Sequence, residues 1–300
     1  MESRDFPLQF QPMPGNRHFP IFAVLCAGLA ISVAALAQQA PRASGARILL
    51  LPKRLVSGER ATLAVLDASG RLTPGVAVNF SNGDHVTTDA TGRALFVAPL
   101  QPGVIYASIA QRSGRVFTTI LTPTEAEASS IEISSAPRFV SLSDRFELSG
   151  RGFCGDADAN GVRASGRNAL VLASSPVSLI VLPPADVEPG STAVDVTCAK
   201  RSSSPFAITF VALSLEANSS PLTPGEQRTL TVHVHGTASK VALEARNLSP
   251  EIADLTGGNP ARISSSGGAE NVGRFELIGR QRGTFLISMR LLPSSAPPRP

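Results

Sequence analysis

RATLAVLDASGRLTPGVAVNFSNGDHVTTDATGRALFVAPLQPGVIYASIAQRSGRVFTTILT, residues 60–122, is the stretch from which the fold is read. It divides into the runs RATLAVLD, GVAVNFS, RALFVAP, VIYASIA and RVFTTILT, separated by Ser69-Gly70, Asn82-Gly83 and Pro102-Gly103. Apolar and polar residues alternate within each run, and β-branched residues are frequent. A period of two places successive side chains on opposite faces of a strand. Turn signals recurring about every 8 to 12 residues mark a sandwich or barrel. No stretch shows sustained apolar spacing of three and four residues with caps at both ends, so helices are not expected.

Composition agrees. The 300 residues are 43% hydrophobic, enough for packed cores, while 25 Gly and 24 Pro suit many short strands. Aromatic residues are scarce: 14 Phe, the single Tyr106 and no Trp. The net charge is +4, and Lys53, Lys200 and Lys240 are the only lysines, so the positive charge is almost all arginine, scattered singly. A nucleic-acid surface clusters its charge on one face or helix, and this dispersion argues against one.

Downstream the pattern repeats. TPTEAEASS, residues 122–130, reads as a polar break. RFELSGRGF, NALVLASS, SLIVLPP, TAVDVTCA and FAITFVALSLE form a second strand-rich set, and QRTLTVHVHG, KVALEARNL, GRFELIGR and GTFLISMRL a third. Little punctuates the join near residue 212, so the second unit is expected to run straight into the third. The expected organisation is 46–122, 131–211 and 212–293 as three β-sandwich domains, 38–45 and 123–130 as linkers, and 294–300 as a proline-rich tail.

The amino terminus carries an export signal. Arg17 and His18 precede an apolar run, Ile21 to Ala37, interrupted only by Ser32. Ala35-Leu36-Ala37 fits the small-x-small rule for cleavage before Gln38. The alternative is a retained membrane anchor, for which the run is at the short edge. No small residue directly precedes Cys26, which argues against lipidation. Cleavage leaves Cys154 and Cys198, and in an exported chain two thiols are expected to pair, a cross-link worth roughly 2–4 kcal/mol; the alternative is two free thiols.

Two resemblances refine this. Residues 46–122, through SGERATLAVLDASGRLTPGVAVNFSNG and VTTDATGRALFVAPLQPGV, resemble a bacterial immunoglobulin-like domain of the invasin/intimin type. Its V-x-F strand is Val78-Asn79-Phe80, and its T-D-x-x-G-x-A segment runs from Thr88 to Ala94. There Asp89 is expected to cap a turn and Gly92 to supply positive φ. Residues 131–211 resemble an IPT/TIG domain through FELSGRGFCG with its Gly150-x-Gly152-Phe153 turn, Asn160-Gly161-Val162, ALVLASSPVSLIVLPP and STAVDVTC. The third unit resembles neither family closely, although LTPGEQRTLTVHV echoes LVSGERATLAVLD. Together these imply an all-β chain of tandem immunoglobulin-like sandwiches after a signal peptide or anchor. Neither family has catalytic residues to carry over; both imply display, spacing or adhesion.

Three local patterns invite chemistry. Asp156, Asp158, Asn160 and Gly161 match the front of a calcium loop, but the twelfth position is Arg167 where a bidentate acid is needed. The competing reading is a turn after Phe153. His233 and His235 share a strand face, as a zinc pair would, with Leu230, Val232 and Val234 facing a core; no third ligand is evident. Asn218-Ser219-Ser220 and Asn247-Leu248-Ser249 fit glycosylation acceptors. There is no Gly-x-Ser-x-Gly elbow and no nucleotide-binding glycine loop. No catalytic, metal or cofactor site is assigned. The function expected is that of an exported, non-enzymatic, modular protein, secreted, periplasmic or at the cell surface. It would act in adhesion or as an envelope spacer toward a protein or glycan partner, with no nucleic acid, and touch a membrane only through a retained N-terminal anchor. The alternative is a carbohydrate-binding or substrate-recognition module, which the shortage of Trp and Tyr disfavours; a third reading, intracellular DNA binding by the IPT/TIG-like unit, conflicts with the export signal.

Overall fold

Alternation becomes pleat. In Ala77–Phe80 the side chains run exposed, buried, exposed, buried, and Val272–Gly279 keeps the same rhythm over eight residues. The structure, a computed structural model, describes residues 46–123, 130–216 and 220–292. The described residues contain strands and short 3-10 turns and no α-helix. No described helix is long and apolar enough to cross a membrane. The leader, its cleavage point and Cys26 lie outside the described residues.

The first eight strands are β1 (Arg47–Leu50), β2 (Arg54–Val56), β3 (Arg60–Asp67), β4 (Ala77–Phe80), β5 (His85–Thr87), β6 (Arg93–Val97), β7 (Gly103–Ile109) and β8 (Arg115–Leu121). β1, β3 and β6 pair in one sheet; β2, β8, β7, β4 and β5 form a second. Leu49, Leu63, Val65 and Ala94 from one meet Leu55, Val78, Phe80, Ile105 and Ile120 from the other in one apolar cluster. Burying a side chain of this kind contributes roughly 1.5–3 kcal/mol. The reversal before β6 follows the sequence reading. Asp89 Oδ1 accepts from the Thr91 N–H at 2.8 Å and from its hydroxyl at 2.7 Å, and Gly92 has φ of 76°.

Then come β9 (Glu132–Ser135), β10 (Phe139–Ser141), β11 (Phe146–Arg151), β12 (Asn160–Ala164), β13 (Arg167–Ser175), β14 (Ser178–Leu182), β15 (Gly190–Cys198), β16 (Arg201–Ser202) and β17 (Phe206–Leu215). A second cluster packs Ile133, Phe146, Leu148 and Leu179 of one face against Val162, Val194, Val196, Ile208 and Phe210 of the other. This unit repeats a device of the first. β1 runs antiparallel to β3, the chain breaks at Pro52, and β2 then runs parallel to β8 on the other sheet. Likewise β9 pairs antiparallel with β11, Pro137 intervenes, and β10 runs parallel to β17. Proline has no N–H to give a ladder, so a strand can change sheets there.

The last strands are β18 (Gln227–His235), β19 (Ala242–Asn247), β20 (Ala253–Leu255), β21 (Ala261–Ser264), β22 (Val272–Gly279) and β23 (Ile287–Leu291). Leu230, Val232, Phe275 and Leu277 pack on Leu243, Ala245, Ala261 and Leu291 in a third cluster.

These clusters are stitched together by backbone. β3 pairs with β13 through Thr62 and Ser174, which joins the sheets of the first two clusters. Leu50, Ala64, Leu66, Leu172 and Ala173 form a small apolar cluster of their own at that seam. β17 pairs through Phe206–Phe210 with β15 and through Ala212–Leu215 with β18, so a single strand belongs to the second and third clusters at once. The described residues accordingly form one compact unit.

Candidate functional site

The acidic loop sits at the seam. Asp156 caps a 3-10 turn, Ala157–Ala159, by accepting from the Asp158 N–H at 3.0 Å. Asn160 is buried and spends its whole amide on the loop. Its Oδ1 accepts from the Cys154 N–H at 2.9 Å, while its Nδ2 donates to the carbonyls of Cys154 and Asp156 at 2.8 Å each. Asp158 ion-pairs with Arg93 at 2.5 Å. Arg167, at the twelfth position, pairs with Asp186. The three candidate calcium ligands, Asp156, Asp158 and Asn160, are thus engaged in a turn, an ion pair and a backbone clamp. Among the described residues, no group of three or more His, Cys, Asp or Glu gathers around a common point.

The loop meets the first cluster closely. The Gly155 carbonyl accepts from Thr62 Oγ1 at 3.0 Å and from Ser174 Oγ at 2.6 Å. The Ala157 N–H donates back to Thr62 Oγ1 at 3.1 Å. A Cβ on Gly155 would lie 1.9 Å from the Arg60 carbonyl oxygen, so glycine is the only residue that allows this approach. The Arg93 side chain is 9% exposed and also donates to the Val171 carbonyl at 2.9 Å, while its Nε is buried without a partner. Nearby, Ser175 Oγ donates to the Arg54 carbonyl at 2.7 Å, and Lys53 pairs with Glu147 at 2.9 Å. Cys154 and Cys198 are joined in a disulfide, their Cα atoms 5.7 Å apart.

His233 and His235 lie on the outer side of β18 with ring planes 20° apart and centroids 6.3 Å apart, while Leu230, Val232 and Val234 are buried beneath them. His235 Nε2 is 2.8 Å from Ser214 Oγ. His85 opens β5 and is exposed. Asn247 is buried, and its amide donates to the Ala253 carbonyl at 2.5 Å, so it offers no free acceptor for a glycan. Asn218 lies outside the described residues.

The surface that sequence reasoning missed is the outer face of the β2-β8-β7-β4-β5 sheet. Tyr106 and Phe117 are directly opposite one another in the β7–β8 ladder, and they are 47% and 65% exposed. Val104, two residues before Tyr106, is 57% exposed. Asn79, paired with Ser108 and with His85, and Arg115, also paired with Ser108, add polar groups to the same face. Rings on an outward face contribute nothing to the core beneath. The single tyrosine was visible in the sequence; its ladder partner was not, because register fixes that pair.

No protein family matches the chain, and no curated protein does. Among solved structures it is similar to the Bacteroides ovatus mixed-linkage glucan utilization locus protein SGBP-B in complex with a mixed-linkage heptasaccharide, at 13% identity and a TM-score of 0.35, over 80% of this chain and 74% of that one. It is also similar to the surface layer protein SbsC, domains 1–6, at 12% identity and a TM-score of 0.21, over 84% of this chain and 39% of that one. A third similarity is to the Plexin A4 extracellular region, at 11% identity and a TM-score of 0.29, over 82% of this chain and 23% of that one.

Proposed function

We propose that this chain is an exported, non-enzymatic, modular immunoglobulin-like protein that acts in cell-surface adhesion or as an envelope spacer. Its modules are a bacterial immunoglobulin-like domain over 46–122, an IPT/TIG domain over 131–211 and a third sandwich over 212–293. The leader over 1–37 delivers it outside the cytoplasm, where the Cys154–Cys198 disulfide is at home. One observation carries the reading: strand pairing runs unbroken from the first cluster to the third, through Thr62–Ser174 and through β17. Joints made of backbone hold a fixed spacing, which is what a spacer or adhesin requires. The test is surface biotinylation of intact cells together with an adherence assay of a deletion strain. Labelling, with adherence lost and restored by the gene, is expected; a protein recovered only from the cytosol overturns the reading.

A second reading, glycan recognition, is favoured by the Tyr106–Phe117 pair. Flat rings stack on the C–H faces of sugars, and Asn79, His85, Ser108 and Arg115 supply hydrogen-bonding groups around them. A glycan array probed with the full chain decides between the two: selective binding supports recognition, and an empty array supports the spacer.

A further inference from the structure

We propose that residues 154–160 form a disulfide-anchored latch between the first and second clusters, and that reduction of Cys154–Cys198 opens the joint.

The loop supplies one part of the contact, beside the Thr62–Ser174 ladder pair, the Ser175–Arg54 bond and the Lys53–Glu147 ion pair. Every polar bond it makes to the first cluster comes from residues that immediately follow Cys154: the Gly155 carbonyl and Ala157 N–H to Thr62, and the Asp158 carboxylate to Arg93. These are short-range bonds with little tolerance. A hydroxyl bond at 3.0 Å weakens steeply if its acceptor moves by half an ångström or so. The root of the loop is held from both sides. Cys198 belongs to β15, buried in the second cluster, and its ladder partner is Asn160, the residue whose amide clamps Cys154. The disulfide therefore ties the start of the loop to the strand that already carries its end, and fixes Gly155 against Arg60.

The chemistry of opening is balanced. Cys154 is a half-buried residue, whereas Cys198 is buried, so attack is directed to Cys154. A dithiol reductant attacks Cys154 as a thiolate, the S–S bond breaks, and Cys198 leaves as a thiolate. The second thiol of the reductant then resolves the mixed disulfide. The protein gains two electrons and two protons and ends with two thiols, and the reductant ends as its own disulfide. Arg201 favours this direction of cleavage: its Nη2 lies 3.6 Å from Cys198 Sγ and also donates to the Gly152 carbonyl at 3.1 Å. A cation beside the departing sulfur stabilises the thiolate and speeds its departure.

Opening also has something to gain. Closed, the seam buries the Arg93 guanidinium with one N–H unsatisfied. Water reaches that group once the loop swings away.

The test is amide hydrogen exchange on the full chain, oxidised and after dithiothreitol, with mass spectrometry to verify two free thiols. The reporter is the Ala157 amide, whose acceptor is in the other sandwich. Its exchange is expected to rise about tenfold or more on reduction, while the Val194–Val196 amides of β15 stay protected. Unchanged exchange at Ala157 overturns the latch. So does an equal rise at Val194–Val196, which would make the disulfide a staple of the whole second sandwich. Asp158→Asn, with the disulfide intact, is the companion variant: faster exchange confined to the loop and the seam supports the latch, and no change there overturns it.

Discussion

Thr62 and Gly155 are joined across two sandwiches by one hydroxyl. Thr62 Oγ1 donates to the Gly155 carbonyl at 3.0 Å and accepts the Ala157 N–H at 3.1 Å. Thr62 is 3% exposed, so water cannot replace either bond. Thr62→Val keeps the shape but strands the Ala157 N–H, while the Gly155 carbonyl keeps the Ser174 hydroxyl. The expected loss is about 1–3 kcal/mol in urea unfolding, with Thr62→Ser losing less because it keeps the hydroxyl.

Glu244 gives the third sandwich a sensitivity to acid. Its carboxylate is buried between Arg262 and Arg290, its ladder neighbours on either side, at 2.8 Å from each Nε. The hydrogen bond from Arg262 first, and that from Arg290 with the charge of both cations, hold the carboxyl below its ordinary value of 4.5 against the opposing effect of burial. A lowered folded value means stabilisation that is complete above the unfolded value and fades as pH falls through the folded one. Unfolding midpoints measured from pH 7 down to about 3 should therefore drop for the native chain, and Glu244→Gln should flatten part of that drop while lowering stability at neutral pH.

Tyr106 and Phe117 face outward, so removing them should leave folding intact. The double variant Tyr106→Ala, Phe117→Ala is expected to keep its stability within about 0.5 kcal/mol, because exposed positions contribute little. Any glycan captured by the native chain should be lost from this variant in the same array. Loss of stability instead would place these rings in the fold rather than in recognition.

Calcium is expected to do nothing to the acidic loop. Asp158 is taken by Arg93, Asn160 by backbone, and Asp186 by Arg167. At about 5 mM calcium, above the range in which many extracellular calcium modules saturate, the melting temperature should stay where it was, and calorimetry should record no binding heat.

The strands were legible because a pleat writes itself as alternation: GVAVNFS and RTLTVHVH each display the face they bury. The Asp89–Gly92 reversal was legible because few residues can make it. The seam was not. Thr62 and Ser174 sit in runs of small and apolar residues, RATLAVLD and NALVLASS, and nothing local tells a threonine facing water from one facing another sheet. Arg93 likewise reads as a solvated charge until the fold brings Asp158 to it from 65 residues away. The acidic pattern was legible as a turn that Arg167 spoils as a calcium loop, but its docking onto the first sandwich was not, because the partners of Gly155, Ala157 and Asp158 lie far away in sequence.

The shared strand β17 has a mechanical consequence. A pull applied between the second and third sandwiches travels along one continuous backbone, bonded at its first half to β15 and at its second half to β18. Such a load shears many ladder bonds together instead of unzipping them singly, and there is no slack peptide between the two to stretch first. This junction behaves as a tendon, passing tension onward with little elongation until a whole sheet gives way.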